Sequence, residues 1–217
     1  MEKIPFCLFT PPEKGKKIVW EITAQCNMQC KHCCANASGS KNLPHHEFIF
    51  SNQKLLKDKI NELDSFGFEE FYISGGEPFL MKNIFRILKY LKRKNKKVSI
   101  ATNGYFLKED FIRNLSKIKI NLLHVSLDGH RAEIHNSLRG GKFFGKVVKN
   151  IKIIKKYEIP LRIGCIIWRK NENFLEEMVK LCIKLKIEEL RFSWLIKVGR
   201  FKNNPKLYPK IGWLTII

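Results

Sequence analysis

No run of eighteen apolar residues occurs in this chain, so the sequence predicts no transmembrane helix and no membrane partner. The first ten residues, with Glu2 and Pro5 among them, do not read as a signal peptide. A disulfide framework is not indicated either. The seven cysteines are an odd number, with Cys26, Cys30 and Cys33 crowded together. That usage suits a reducing cytoplasm, the expected location. Acid is scarce: 20 Asp and Glu stand against 41 Lys and Arg, a formal charge of +21. The excess is spread as Lys over polar helix faces, as in Lys92-Arg93-Lys94-Asn95-Lys96-Lys97. No aromatic-interleaved basic stripe, repeat or low-complexity segment accompanies it, so specific nucleic-acid binding is not expected. Cysteine is absent after Cys182.

What is present is Cys26-Asn27-Met28-Gln29-Cys30-Lys31-His32-Cys33, a C-x3-C-x2-C run just behind the apolar stretch Ile18 to Ile22. Three thiolates within eight residues can converge on one metal centre. A cubane of four irons held by three of them keeps one iron open for a ligand. A zinc site with His32 or Cys34 as fourth ligand is the other reading of the spacing. Cys7, Cys165 and Cys182 stand singly in apolar runs, where a lone Cys is a small core residue.

With 217 residues the chain suits a single domain. A polar stretch, Ala35 to Glu47, follows the cysteines, and after it helical and strand patterns alternate. Leu55, Leu56, Ile60 and Leu63 mark a helix closed by Gly67; Phe71 to Ile73 is a strand. Ile84, Leu88 and Leu91 give a second helix before the strand Val98 to Ala101, and Phe111, Leu115 and Ile118 a third before Leu122 to Leu127. Val147, Ile151 and Ile154 precede the strand Leu161 to Ile167, and Leu175, Met178, Val179 and Cys182 precede Leu190 to Trp194. Six strands with five intervening helices predict an α/β fold of parallel strands and right-handed crossovers. A doubly wound sheet competes with a partial (β/α)6 TIM-like barrel. The polar motifs follow strands one to four, which favours the barrel, whose sites lie at the carboxyl ends of its strands. Residues 1–16 read as a lead-in, 17–200 as the core and 201–217 as an irregular tail.

Each motif has an ordinary alternative. Gly75-Gly76-Glu77-Pro78 is by itself a Gly/Pro turn, and Asn103-Gly104 is a turn leaving a strand. Ser126 and Asp128 share one side of strand four, where they either meet a ligand or form a cap. Arg139 either pairs with a carboxylate or lies on the surface.

Taken together, these motifs closely resemble those of the radical S-adenosylmethionine (SAM) enzymes. The resemblance runs from about Lys17 to Arg200. It implies a partial barrel of radical SAM type, in which Cys26, Cys30 and Cys33 ligate a [4Fe–4S] cluster and the open iron binds SAM. One electron then cleaves SAM to a 5′-deoxyadenosyl radical. It further implies that Gly75, Gly76, Glu77 and Pro78 hold the SAM amino group, that Asn103 lies beside the site, and that Arg139 meets the SAM carboxylate. Ser126 and Asp128 would serve ribose hydroxyls or the methionyl end. The phrases V-S-L-D-G, H-N-S-L-R-G and W-L-I-K-V-G-R look like the peptide-maturase branch, with the anaerobic sulfatase activators and haem-pathway relatives. A peptide or protein substrate is therefore expected, then a tetrapyrrole, with flavodoxin or ferredoxin as electron donor. Relatives there usually carry a Cys-rich C-terminal extension, called SPASM or twitch, which this chain lacks; relatives often have an aromatic residue where Cys34 stands. The alternative expectation is a truncated, inactive metal- or cluster-binding module.

Overall fold

In the computed structural model, residues 16–39 and 52–210 are described. The reading of Cys7 as a core residue, most of the polar stretch Ala35 to Glu47, the lead-in up to residue 15 and the end of the tail lie outside them; Lys16, read as the last residue of the lead-in, begins the first strand. Six parallel strands form one sheet in the order of the sequence: β1 Lys16–Glu21, β2 Phe68–Ser74, β3 Lys97–Thr102, β4 Leu122–Ser126, β5 Leu161–Ile167 and β6 Glu189–Trp194. A doubly wound sheet would reverse that order midway; unbroken succession curls the sheet into a half-barrel instead.

The helices between the strands are α1 Gln53–Ser65, α2 Ile84–Arg93, α3 Glu109–Ser116, α4 Ala132–Arg139, α5 Phe144–Ile154 and α6 Leu175–Lys184. Asn52 starts α1 by accepting from the amides of Lys54 and Leu55 at 3.0 and 3.2 Å, and Gly67, at φ 79°, turns the chain out after it. Leu56, Ile60 and Leu63 of α1 are buried, whereas Leu55 is exposed. The core lies between helices and sheet, fed by alternate strand residues: Phe71 and Ile73, Val98 and Ile100, Leu123 and Val125, Leu161, Ile163 and Cys165. The intervening residues take the concave face. They include Tyr72 and Ser74 of β2, Ala101 of β3, His124 and Ser126 of β4, Gly164 and Ile166 of β5, and Ser193 of β6. Among the described residues, no helix is long and apolar enough to cross a membrane.

One helix exceeds the five expected. α4 buries Ile134 and Leu138 but also His135 and Arg139 on the same face. A polar inward face hides an amphipathic helix from a search for apolar periodicity. Beyond β6, two short 3₁₀ turns, Gly199–Asn203 and Pro205–Leu207, run from the last residues read as core into the start of the stretch read as an irregular tail. Phe201 anchors them, packing in a second small core with Ile134, Leu138, Trp168 and Leu195.

Candidate functional site

The cysteine loop is fastened to the sheet before its first cysteine. Past the end of β1, Ile22 N donates to Ser74 O at 3.0 Å, Gly76 N to Thr23 O at 2.6 Å and Glu77 N to Gln25 O at 2.7 Å. The β1–β2 ladder thus runs on through Gly75 and Gly76, directly against residues 22–25. A Cβ on Gly76 would overlap the carbonyl of Gln25, so no other residue fits there. Cys26 N then donates to Ser38 O, and Ser38 N to Ala24 O, closing the base of the loop. Gly76→Ala is expected to displace these strand-end bonds and cost about 2 kcal/mol or more, since each unsatisfied buried group costs about 1–3 kcal/mol. Gly145→Ala in α5, where a Cβ meets nothing, should be neutral or slightly stabilising. Thermal melting of the two variants checks this.

Glu77 lies wholly inside the protein. It accepts from Thr102 Oγ1 at 2.8 Å, Asn103 N at 2.7 Å and Phe79 N at 3.2 Å, tying the exit of β2 to that of β3. Pro78 begins the 3₁₀ turn Pro78–Leu80 beneath it. Burial pushes the Glu77 carboxyl up to about 7, against the lowering effect of those donors. Its ordinary value is 4.5, so its contribution to stability is full below about 4.5 and is lost as the pH rises through about 7. Glu77→Gln should abolish that part of the pH dependence. It should also lower stability at every pH, because a Gln amide would face the Asn103 N–H. Urea unfolding of both proteins between pH 4 and 8 reads the difference.

Above this layer a cavity of about 290 Å³ opens at the carboxyl ends of the strands. Cys26, Cys30 and Cys33 line it, as do Gly75, Gly76, Asn103, Ser126, Asp128 and Arg139. Every site residue expected from the sequence therefore borders the cavity except Glu77 and Pro78. Asn103 stands between two parts of the loop, its Nδ2 donating to Asn27 Oδ1 at 2.8 Å and approaching Cys26 Sγ at 3.8 Å. Arg139 Nη1 approaches Cys30 Sγ at 3.8 Å, while its Nε donates to Asp128 Oδ2 at 2.6 Å. The second Asp128 oxygen accepts from Ile166 N at 2.9 Å, so both carboxylate oxygens are occupied within the protein. α4 holds the loop as well, for Lys31 N donates to Leu138 O at 2.9 Å.

Burial pushes the Cys26 thiol up to about 11 and also raises Cys30, where the Arg139 charge partly opposes it. A bound metal would have to displace these protons. Among the described residues, no three His, Cys, Asp or Glu side chains already stand as a metal-holding cluster. The donor set nevertheless fits an iron–sulfur group: three thiols of one loop face one cavity, and two side-chain N–H groups point at their sulfurs. Of the two zinc-ligand alternatives, Cys34 is exposed and His32 is neutral, its burial lowering it to about 4.

His124, Ser193 and Arg200 also border the cavity and were not singled out in the sequence; His32, read there only as a zinc ligand, borders it too. Tyr72 hydroxyl and His124 Nδ1 form a hydrogen bond of 2.7 Å on the concave face, with His124 lowered to about 4 by burial and by Arg162 and Arg191. Strand alternation was the available signal for His124, because it shares a face with Ser126.

A family model described as the Radical SAM superfamily matches residues 20–182. Among curated proteins, the chain is 28% identical over 193 residues to an AdoMet-dependent heme synthase of Methanosarcina barkeri, covering 88% of this chain and 54% of that protein. It is 29% identical over 186 residues to the antilisterial bacteriocin subtilosin biosynthesis protein AlbA of Bacillus subtilis, covering 85% and 40%. Among solved structures, Streptococcus suis SuiB bound to S-adenosylmethionine superposes with a TM-score of 0.74 at 20% identity, covering 91% of this chain and 44% of that one. The chain spans about half the length of the curated relatives it matches.

Proposed function

The chain belongs to the radical SAM superfamily, and from that premise we propose that it holds a [4Fe–4S] cluster on Cys26, Cys30 and Cys33 and binds SAM beside it. When bound, the cluster supplies the electron that cleaves SAM reductively to a 5′-deoxyadenosyl radical. The observation that carries this reading is the convergence of the three thiols and of the exits of β2, β3 and β4 on one cavity.

The protein's own residues position and shield. The strand-end bonds through Gly75 and Gly76 set the backbone wall of the cavity, against which the SAM amino group would lie. Asn103 and Arg139 direct N–H groups at Cys26 and Cys30, favouring sulfur that carries negative charge. Arg139 is itself fixed by Asp128, so its Nη1 approaches Cys30 from a set direction. Ser126, with its hydroxyl on the concave wall, is the proposed contact for the ribose or methionyl end. His124 borders the cavity with the Tyr72 hydroxyl bonded to it, and this neutral pair can accept or donate a hydrogen bond to a substrate without adding charge.

We take a peptide or protein as the substrate class, since relatives include a bacteriocin biosynthesis protein, with a tetrapyrrole second because of the heme synthase. A flavodoxin or ferredoxin in a reducing cytoplasm would deliver the electron. The competing proposal is a binding module without chemistry. Anaerobic reconstitution tests both. Near four irons and four sulfides per chain, followed by 5′-deoxyadenosine release from SAM under reduction, is the expected result. A loaded cluster without SAM cleavage would favour the module, and no iron uptake would end the reading.

A further inference from the structure

Within the reading just proposed, we infer that Arg200 is a further ligand-facing residue of the cavity: it clamps the cysteine loop and gives its buried Nη2 group to an anion held there. The 3₁₀ turn beginning at Gly199 passes directly over the loop. Arg200 N donates to Cys33 O at 3.0 Å and Arg200 Nε to Cys30 O at 2.8 Å, so one residue grips the loop at two of its three cysteines. Gly199 makes the approach possible. It sits at φ 58°, and a Cβ there would overlap the carbonyl oxygens of Cys33 and Cys34.

With the backbone amide and Nε committed, Arg200 Nη2 is buried without a partner among the described residues, and the residue borders the cavity. A buried guanidinium N–H with nothing to donate to is costly, and an acceptor inside the cavity would relieve that cost. Charge points the same way. Asp128 and Arg139 form a buried ion pair and neutralise each other. Among the described residues Arg200 makes no ion pair, so it is the uncompensated cation on the same wall as the three thiols. Three thiolates and the group they hold would bring negative charge to this wall. A planar guanidinium suits either a sulfide or a carboxylate acceptor. Both are anionic acceptors, and the experiment separates them.

Arg200→Gln and Arg200→Lys are compared with wild type after anaerobic reconstitution, with Arg86→Gln on the outer face of α2 as control. Iron content, the electron paramagnetic resonance spectrum of the reduced cluster and the SAM dissociation constant are measured. If the acceptor is a cluster sulfide, Arg200→Gln should alter the spectrum without SAM. If it is the SAM carboxylate, that spectrum should match wild type while SAM binds about tenfold more weakly or worse. Arg200→Lys should recover part of either effect. Either pattern supports the inference. Lower iron content with an unchanged spectrum and unchanged SAM affinity per cluster would leave only a clamp and overturn the ligand-facing role. Wild-type values throughout would overturn both. Should wild type itself take up no cluster, the proposed function fails; SAM affinity of the unloaded proteins then decides Arg200, with equal values overturning it.

Discussion

Replacing Cys26, Cys30 or Cys33 by Ala is expected to abolish the thiolate-to-iron absorption and SAM cleavage together. Each thiol supplies one of three ligands, and a cubane held by two protein thiolates is labile. Burial sharpens the effect. With Cys26 raised to about 11 and Cys30 also raised, these two unloaded thiols are protonated near neutral pH, so only metal binding keeps them as thiolates. Cys182, on the buried face of α6 and away from the cavity, is the control, and Cys182→Ala should keep both signals. Cys34 is the informative neighbour, because it is exposed and adjacent to Cys33. A full cluster in Cys33→Ala would transfer the third ligand to Cys34. A full cluster in Cys30→Ala would overturn the ligand assignment. Iron and sulfide analysis with visible absorption decides each case.

Asp128→Ala should produce a stability loss of about 3–5 kcal/mol, the cost of leaving one partner of a buried ion pair alone. Asp128 is fully buried and Arg139 nearly so. The substitution would strand the Arg139 guanidinium and also the amide of Ile166. Burial by itself would raise the Asp128 carboxyl. The Arg139 charge, with His32, His135 and the Ile166 amide, instead carries it down to about 2. Because its ordinary value is 3.8, its stabilising contribution is full above that value and is lost as the pH falls towards about 2. Denaturant unfolding of the unloaded chain should therefore show the full deficit at pH 7 and a shrinking one below pH 4. A loss under 1 kcal/mol at pH 7 would mean that Arg139 finds another partner, and SAM binding would then be the measurement that separates a contact from a brace.

Much of the fold was legible because it is local. Helical spacing in Ile84, Leu88 and Leu91, and apolar runs such as Leu161 to Ile167, report which residues bury a face within one element. Six such strands in succession imply parallel crossovers. α4 escaped for a definite reason: His135 and Arg139 occupy half of its inward face, so its sequence lacks an apolar stripe. The site was legible where spacing alone carries chemistry, as in the three cysteines. It was less so where a residue's role depends on partners far along the chain. Glu77 reads as a carboxylate offered to a ligand, yet the tertiary structure surrounds it with Thr102, Asn103 and Phe79 and leaves it off the cavity wall.

By itself the sequence determined the strand–helix alternation, the spacing of the three cysteines and the glycines at the end of β2, all properties of segments a few residues long. The tertiary structure decided which side chains reach the cavity and which brace it. Asp128 and Arg139 are turned towards each other within the protein, and Arg200 reaches back to Cys30 across 170 positions. Such pairings leave no periodicity in the sequence. They arise only when the closing half-barrel brings the strand ends together, where burial leaves each charged group to find a partner or an acceptor.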